Sequence, residues 1–104
     1  MYQMLMTAPV SRLSLLSDKD RPKEFEISYK TTRHEFSSTG TSVDVFVISF
    51  ASGVAASVVA NALCAFVKKH SRGETKEMTL DRKTILVEEG KITKVIEEHI
   101  ARKN

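Results

Sequence analysis

A small α+β domain is the fold class this sequence predicts, and three observations predict it. KEFEISYK, residues 23 to 30, alternates apolar and polar side chains in the manner of a half-buried strand. VFVISFASGVAASVVANALCAFV, Val45 to Val67, runs 23 residues without a charge, too long for one strand and so expected to be a helix. KEMTLDRKTILVEE then reads as two short strands about a tight turn, and KITKVIEEHIARKN carries helical spacing. The expected order is strand, long apolar helix, β-hairpin and C-terminal amphipathic helix (β-α-β-β-α).

Residues 1 to 22 are mixed. Val10, Leu13 and Leu16 have a weak helical spacing that admits a short helix or a partly flexible segment, and Pro22 argues that any helix ends before it. No basic n-region precedes a continuous apolar core, so the segment does not read as a signal peptide. Met4 and Met6 are alternative starts, which makes the first few residues look dispensable and places the domain at 23 to 104.

In the strand, Phe25, Ile27 and Tyr29 face one way and Glu24, Glu26, Ser28 and Lys30 the other. The helix is expected from Val43 to Lys69, about 40 Å at 1.5 Å per residue. Ser42 is its candidate cap, Asp44 sits in its first turn, and Lys68, Lys69 and His70 lie where cations favour a helix C-terminus. Met78 and Leu80 alternate before the turn Asp81-Arg82-Lys83, and Ile85 and Val87 alternate after it. Gly90 is expected to separate the hairpin from the last helix, in which Ile92, Val95, Ile96 and Ile100 share a face.

The apolar stretch has two readings in different solvents. Its length suffices for a bilayer core of about 30 Å, and the basic residues after it would place the C-terminus in the cytoplasm. Its content is less favourable to insertion. Eleven of the 23 residues are Val, Ile, Leu or Phe; the rest are six Ala, three Ser, Gly53, Asn61 and Cys64. The chain has no Trp, so the aromatic belt of a membrane span is missing.

The small residues recur in rows. Ser49, Gly53, Ser57, Asn61 and Ala65 stand four apart, and Ser52, Ala56, Ala60 and Cys64 form a second row beside them. On a helix such a stripe admits close approach of another backbone, in a membrane or in a packed protein. The first row is therefore the expected packing or partner interface. A soluble helix apolar all round needs cover all round, which the remaining elements are too few to supply, so self-association or a bound partner follows.

Composition bounds the remaining chemistry. A net charge of +3 is too small to argue specific nucleic-acid binding. Lys68, Lys69 and Arg72 could meet phosphate or anionic lipid, diluted by Glu74, Glu77 and Asp81. One cysteine, Cys64, excludes an intramolecular disulfide framework and fits a reducing, cytoplasmic compartment. His34, His70 and His99 are dispersed without metal-ligand spacing, and no phosphate loop, nucleotide-binding glycine pattern or nucleophile motif occurs. No catalytic residue, metal or cofactor is implied.

The succession SFASGVAASVVANALCAFVKKH, KEMTLDRKTILVEE and KVIEEHI, with EFEISYK ahead of it, resembles the effector-associated constant component domains of bacterial conflict systems. The likeness covers about three quarters of the chain and is a pattern of elements. The Trp common near the end of that family's long helix is absent, and Phe66 stands roughly in its place. The resemblance implies a non-catalytic adaptor coupling an effector or protease to its trigger in antiviral or inter-bacterial conflict, and it transfers no catalytic residues. Two alternatives stay open: a single-pass inner-membrane protein oligomerising through the stripe, and a toxin-neutralising immunity protein, of which the sequence carries no direct sign.

Overall fold

A computed structural model describes residues 2–7, 22–34, 42–70 and 77–103. Seven elements follow one another: β1 (Tyr2–Thr7), β2 (Glu26–His34), β3 (Ser42–Phe50), α1 (Ala56–His70), β4 (Glu77–Leu80), β5 (Lys83–Leu86) and α2 (Glu89–Lys103). The α+β class, the hairpin and the C-terminal helix are as expected, and the strand expected at residues 23 to 30 runs instead from Glu26 to His34, after a bend at 23–25. The five strands form one sheet in the order β2-β3-β1-β4-β5, with every neighbouring pair antiparallel. Since β3 and β4 both run opposite to β1, they are parallel to each other, and α1 links them across the strand between.

The apolar stretch is not a single helix. Its first part is β3, whose Val45, Phe46, Val47 and Ile48 are β-branched or aromatic residues suited to a pleated strand. As an inner strand, β3 presents apolar side chains to both faces, which explains a run without polar alternation. A turn then intervenes, with the Val54 N–H donating to the Ala51 carbonyl at 3.2 Å. The Ala-rich remainder forms the 15-residue α1. Ser42 and Asp44 therefore lie on a strand, and Asp44 accepts a hydrogen bond from Thr32 Oγ1 at 2.9 Å instead of opening a helix. No helix among the described residues is long and apolar enough to cross a membrane, so the single-pass span over 45–67 is withdrawn.

The N-terminal expectation also changes. Tyr2–Thr7 is not dispensable: β1 pairs with β3 on one side and β4 on the other, so the domain does not begin at residue 23. Met4 and Met6, 2% and 0% exposed, alternate into the core. Val10, Leu13 and Leu16 lie outside the described residues.

Both helices pack on the sheet face that carries Met4, Met6, Phe46, Ile48 and Leu80, and the buried side chains form one core. The α1 helix contributes Val59, Ala60, Leu63, Cys64, Phe66 and Val67, and α2 contributes Ile92, Val95 and Ile96. Phe66 meets Phe25 edge-on at 6.3 Å, which places α1 on the β2 side, while Tyr2 meets the His99 ring edge-on at 6.1 Å under α2. Gly90 does not separate hairpin from helix; it lies within the first turn of α2, where Ile92 N–H donates to the Glu88 carbonyl at 3.0 Å.

Candidate interaction surface

The first row of small residues divides at the strand-to-helix turn. Ser57, Asn61 and Ala65 keep their four-residue spacing on α1 and are all exposed, so they form one line along its outer side. Ser49 belongs to β3 and is 9% exposed on the sheet face opposite the helices. Gly53 sits in the exposed turn, and a Cβ there would meet nothing within 4 Å. The five predicted residues therefore do not form one stripe, because the helical phase that would align them begins only at Ala56. The second row behaves differently: Ala60 and Cys64 are buried, and their small volume lets α1 settle into the core.

The outer side of α1 is uncharged from Ser57 to Ala65 and adds Val58, which is 47% exposed. Pro22 and Glu24 stand opposite this side and leave a groove lined by Val58, Asn61 and Ala65 with Phe66 at its floor. Lys68 and Lys69 lie exposed at the end of the helix, with Lys69 on the groove wall. Arg72 lies outside the described residues, so the expected basic contact of Lys68, Lys69 and Arg72 is placed only in its first two members.

The sheet ends beside this groove. β2 pairs with β3 and, among the described residues, with nothing on its outer edge. Tyr29 is 37% exposed there, its ring 6.3 Å from Phe46 and its hydroxyl hydrogen-bonded to Thr32. The register slips between Tyr29 and Thr31, a bulge at Lys30. Sequence periodicity identifies this strand but carries no sign that it lies at an edge.

His99 Nδ1 is 3.2 Å from Asp81 Oδ2, and Arg102 also binds that carboxylate. His99 Nε2 is buried and has no hydrogen-bond partner, so its second nitrogen is closed to a substrate proton. His70 packs its ring on Phe66 at 4.7 Å. Cys64 is a buried free thiol, and no group of three or more metal-ligating side chains occurs among the described residues.

No family model, curated protein or solved structure matches this chain. The surface beside α1 has to be read from its own chemistry.

Proposed function

We propose that the protein is a non-enzymatic interaction module that engages a protein partner through the outer side of α1 and the groove next to it. The observation that carries this reading is the line Ser57, Asn61 and Ala65, exposed and uncharged over the helix face from Ser57 to Ala65, before Lys69. A solvated helix face normally carries charged side chains, whereas desolvating this one leaves no ion to be compensated. Small side chains here also allow a partner backbone to come close.

A cytoplasmic location belongs to the same proposal, on the ground of the single reduced cysteine. The resemblance to effector-associated constant component domains suggests bacterial conflict systems as the setting, with α1 as the shorter counterpart of their long helix. A photocrosslinking side chain placed at Asn61, compared with one at the exposed Lys94 on α2, tests the surface. Crosslinks to protein from position 61 and none from position 94 support it; the reverse pattern sinks it.

A further inference from the structure

We infer that the sheet face turned away from the helices binds a small organic phosphate, between Lys30 of β2 and Arg82 of the hairpin turn. The inference concerns the opposite side of the molecule from α1 and does not depend on the reading above.

The site is built on one line across four strands. Thr31 pairs with Val45, Val45 with Thr7, and Thr7 with Thr79, so these side chains stand abreast. Their chain neighbours Phe46, Met6 and Leu80 point into the core, and by alternation the row points the other way. Leu5, two residues before Thr7, shares that face. A cleft of about 460 Å³ lies over the row, within the ~300–1,000 Å³ typical of small-molecule sites. Val45, 4% exposed, and the half-buried Leu5 give it an apolar floor beside three threonine hydroxyls.

Two cations flank the cleft, and each is brought there by a departure from regular backbone. Lys30 is the extra residue of the bulge between Tyr29, opposite Phe46, and Thr31, opposite Val45. Arg82 holds φ 68° at a turn position where Gly would be unstrained. Asp81, the acid beside it in the chain, turns its carboxylate to α2, where it meets His99 and Arg102. Among the described residues, the lining carries both cations and no carboxylate. Bulges and left-handed residues gather at ligand sites, and here one of each converges on a single cleft.

The lining selects the ligand. β2 and β4 are three strand spacings apart, about 14 Å, a gap that the long Lys30 and Arg82 side chains narrow from both ends. Phosphate oxygens take a guanidinium fork, an ammonium and hydroxyl donors together. The apolar remainder of a phosphate monoester would lie on Leu5 and Val45. Inorganic phosphate would leave that floor uncovered, and a carboxylate would bring only one charge to two cations.

Titration of the isotopically labelled full chain with phenyl phosphate, at fixed ionic strength and followed by amide NMR, tests the site. Signals of Leu5, Thr7, Val45, Thr79 and Arg82 should shift and saturate, with a Kd of about 1 mM or tighter. Inorganic phosphate and benzoate should each bind about fivefold more weakly or worse. Lys30→Gln and Arg82→Gln should each weaken the ester about tenfold. Both side chains are exposed, so folding survives each change. Arg82→Gly separates the site from the turn: it should raise the thermal midpoint and still lose the binding. Shifts that fail to saturate by about 20 mM overturn the inference, as do shifts confined to Lys68 and Lys69. Saturable binding unchanged in both glutamine variants also overturns it, and so does benzoate bound as tightly as the ester.

Discussion

His99 on α2 and Asp81 in the hairpin turn are joined at 3.2 Å between Nδ1 and Oδ2, which ties the C-terminal helix to the far end of the sheet. Asp81 is a junction of three elements. Its N–H donates to the Leu5 carbonyl of β1 at 2.8 Å, and its carboxylate also takes Arg102. Its φ of 52° lies in the left-handed region, which Asp tolerates better than most residues. Asp81→Gly should remove the side-chain contacts while easing the backbone; Asp81→Ala should lose both. We expect Ala to destabilise by about 1–3 kcal/mol, and more than Gly, measured as urea midpoints at constant m-value.

Arg82 follows with φ 68°, so both central turn residues are left-handed, the conformation of a tight hairpin that favours Asn-Gly or Asp-Gly. Arg82→Gly should therefore stabilise the fold by about 0.5–1 kcal/mol, since the strain of a Cβ at positive φ disappears. A thermal or urea midpoint lower than that of the unaltered chain would contradict this account of the turn.

The central position of β1 makes a stronger claim. Met6 is fully buried, opposite Phe46 on one side and Leu80 on the other. Met6→Ala should cost about 2–5 kcal/mol, a large share of the 5–15 kcal/mol that holds a small domain together. A chain shortened by its first seven residues should lose cooperative unfolding altogether, because β3 and β4 would each lose their shared neighbour. Circular dichroism and a denaturant titration decide both.

How much of this was readable in the residues depends on whether periodicity and position agree. Alternation in Phe25, Ile27 and Tyr29 announces a strand whose face buries the first two and leaves Tyr29 at 37% exposed, and helical spacing in Ile92, Val95 and Ile96 announces the buried face of α2. β3 was hidden because an inner strand with apolar residues on both faces looks like any other apolar run. Its β-branched and aromatic density before Ala51, giving way to alanine after Gly53, was the available signal. Tyr2–Thr7 gives little signal as a strand because six residues with Met at two core positions alternate weakly. The spacing of Ser57, Asn61 and Ala65 was legible, whereas Ser49 and Gly53 fell out of line with the helix that never reached them.

Gly53 illustrates the correction directly. On a continuous close-packed helix, Gly53→Leu would overpack a crossing. In the exposed turn a Cβ meets nothing, so Gly53→Ala should be neutral or stabilising by up to about 1 kcal/mol through the unfolded chain. The start of α1 offers a related gain. Ala55 precedes the helix, its carbonyl accepting from Val58 and Val59 N–H at 3.1 and 3.3 Å, and it has no side-chain oxygen to cap the free amides. Ala55→Asp should add about 1 kcal/mol by capping and by placing a negative charge at the helix N-terminus. Differential scanning of both variants checks the strand–turn–helix division of the apolar stretch.

The last prediction concerns acid. Glu98 on α2 is hydrogen-bonded to Lys83 at the start of β5, and that bond, with the lysine's charge, holds its carboxyl below the ordinary carboxylate range. A carboxyl whose folded pKa is lowered binds fewer protons folded than unfolded. Its stabilising contribution is therefore complete above the ordinary carboxylate pKa and is lost as pH falls through the lowered value. Both side chains are well exposed, 45% for Lys83 and 41% for Glu98, so the contribution is small and weakened by salt. Urea midpoints followed from neutral pH into acid should fall less steeply in Lys83→Met than in the unaltered chain, and the difference should shrink in concentrated sodium chloride. Equal slopes at low salt would show that the contact between hairpin and helix does not favour ionised Glu98.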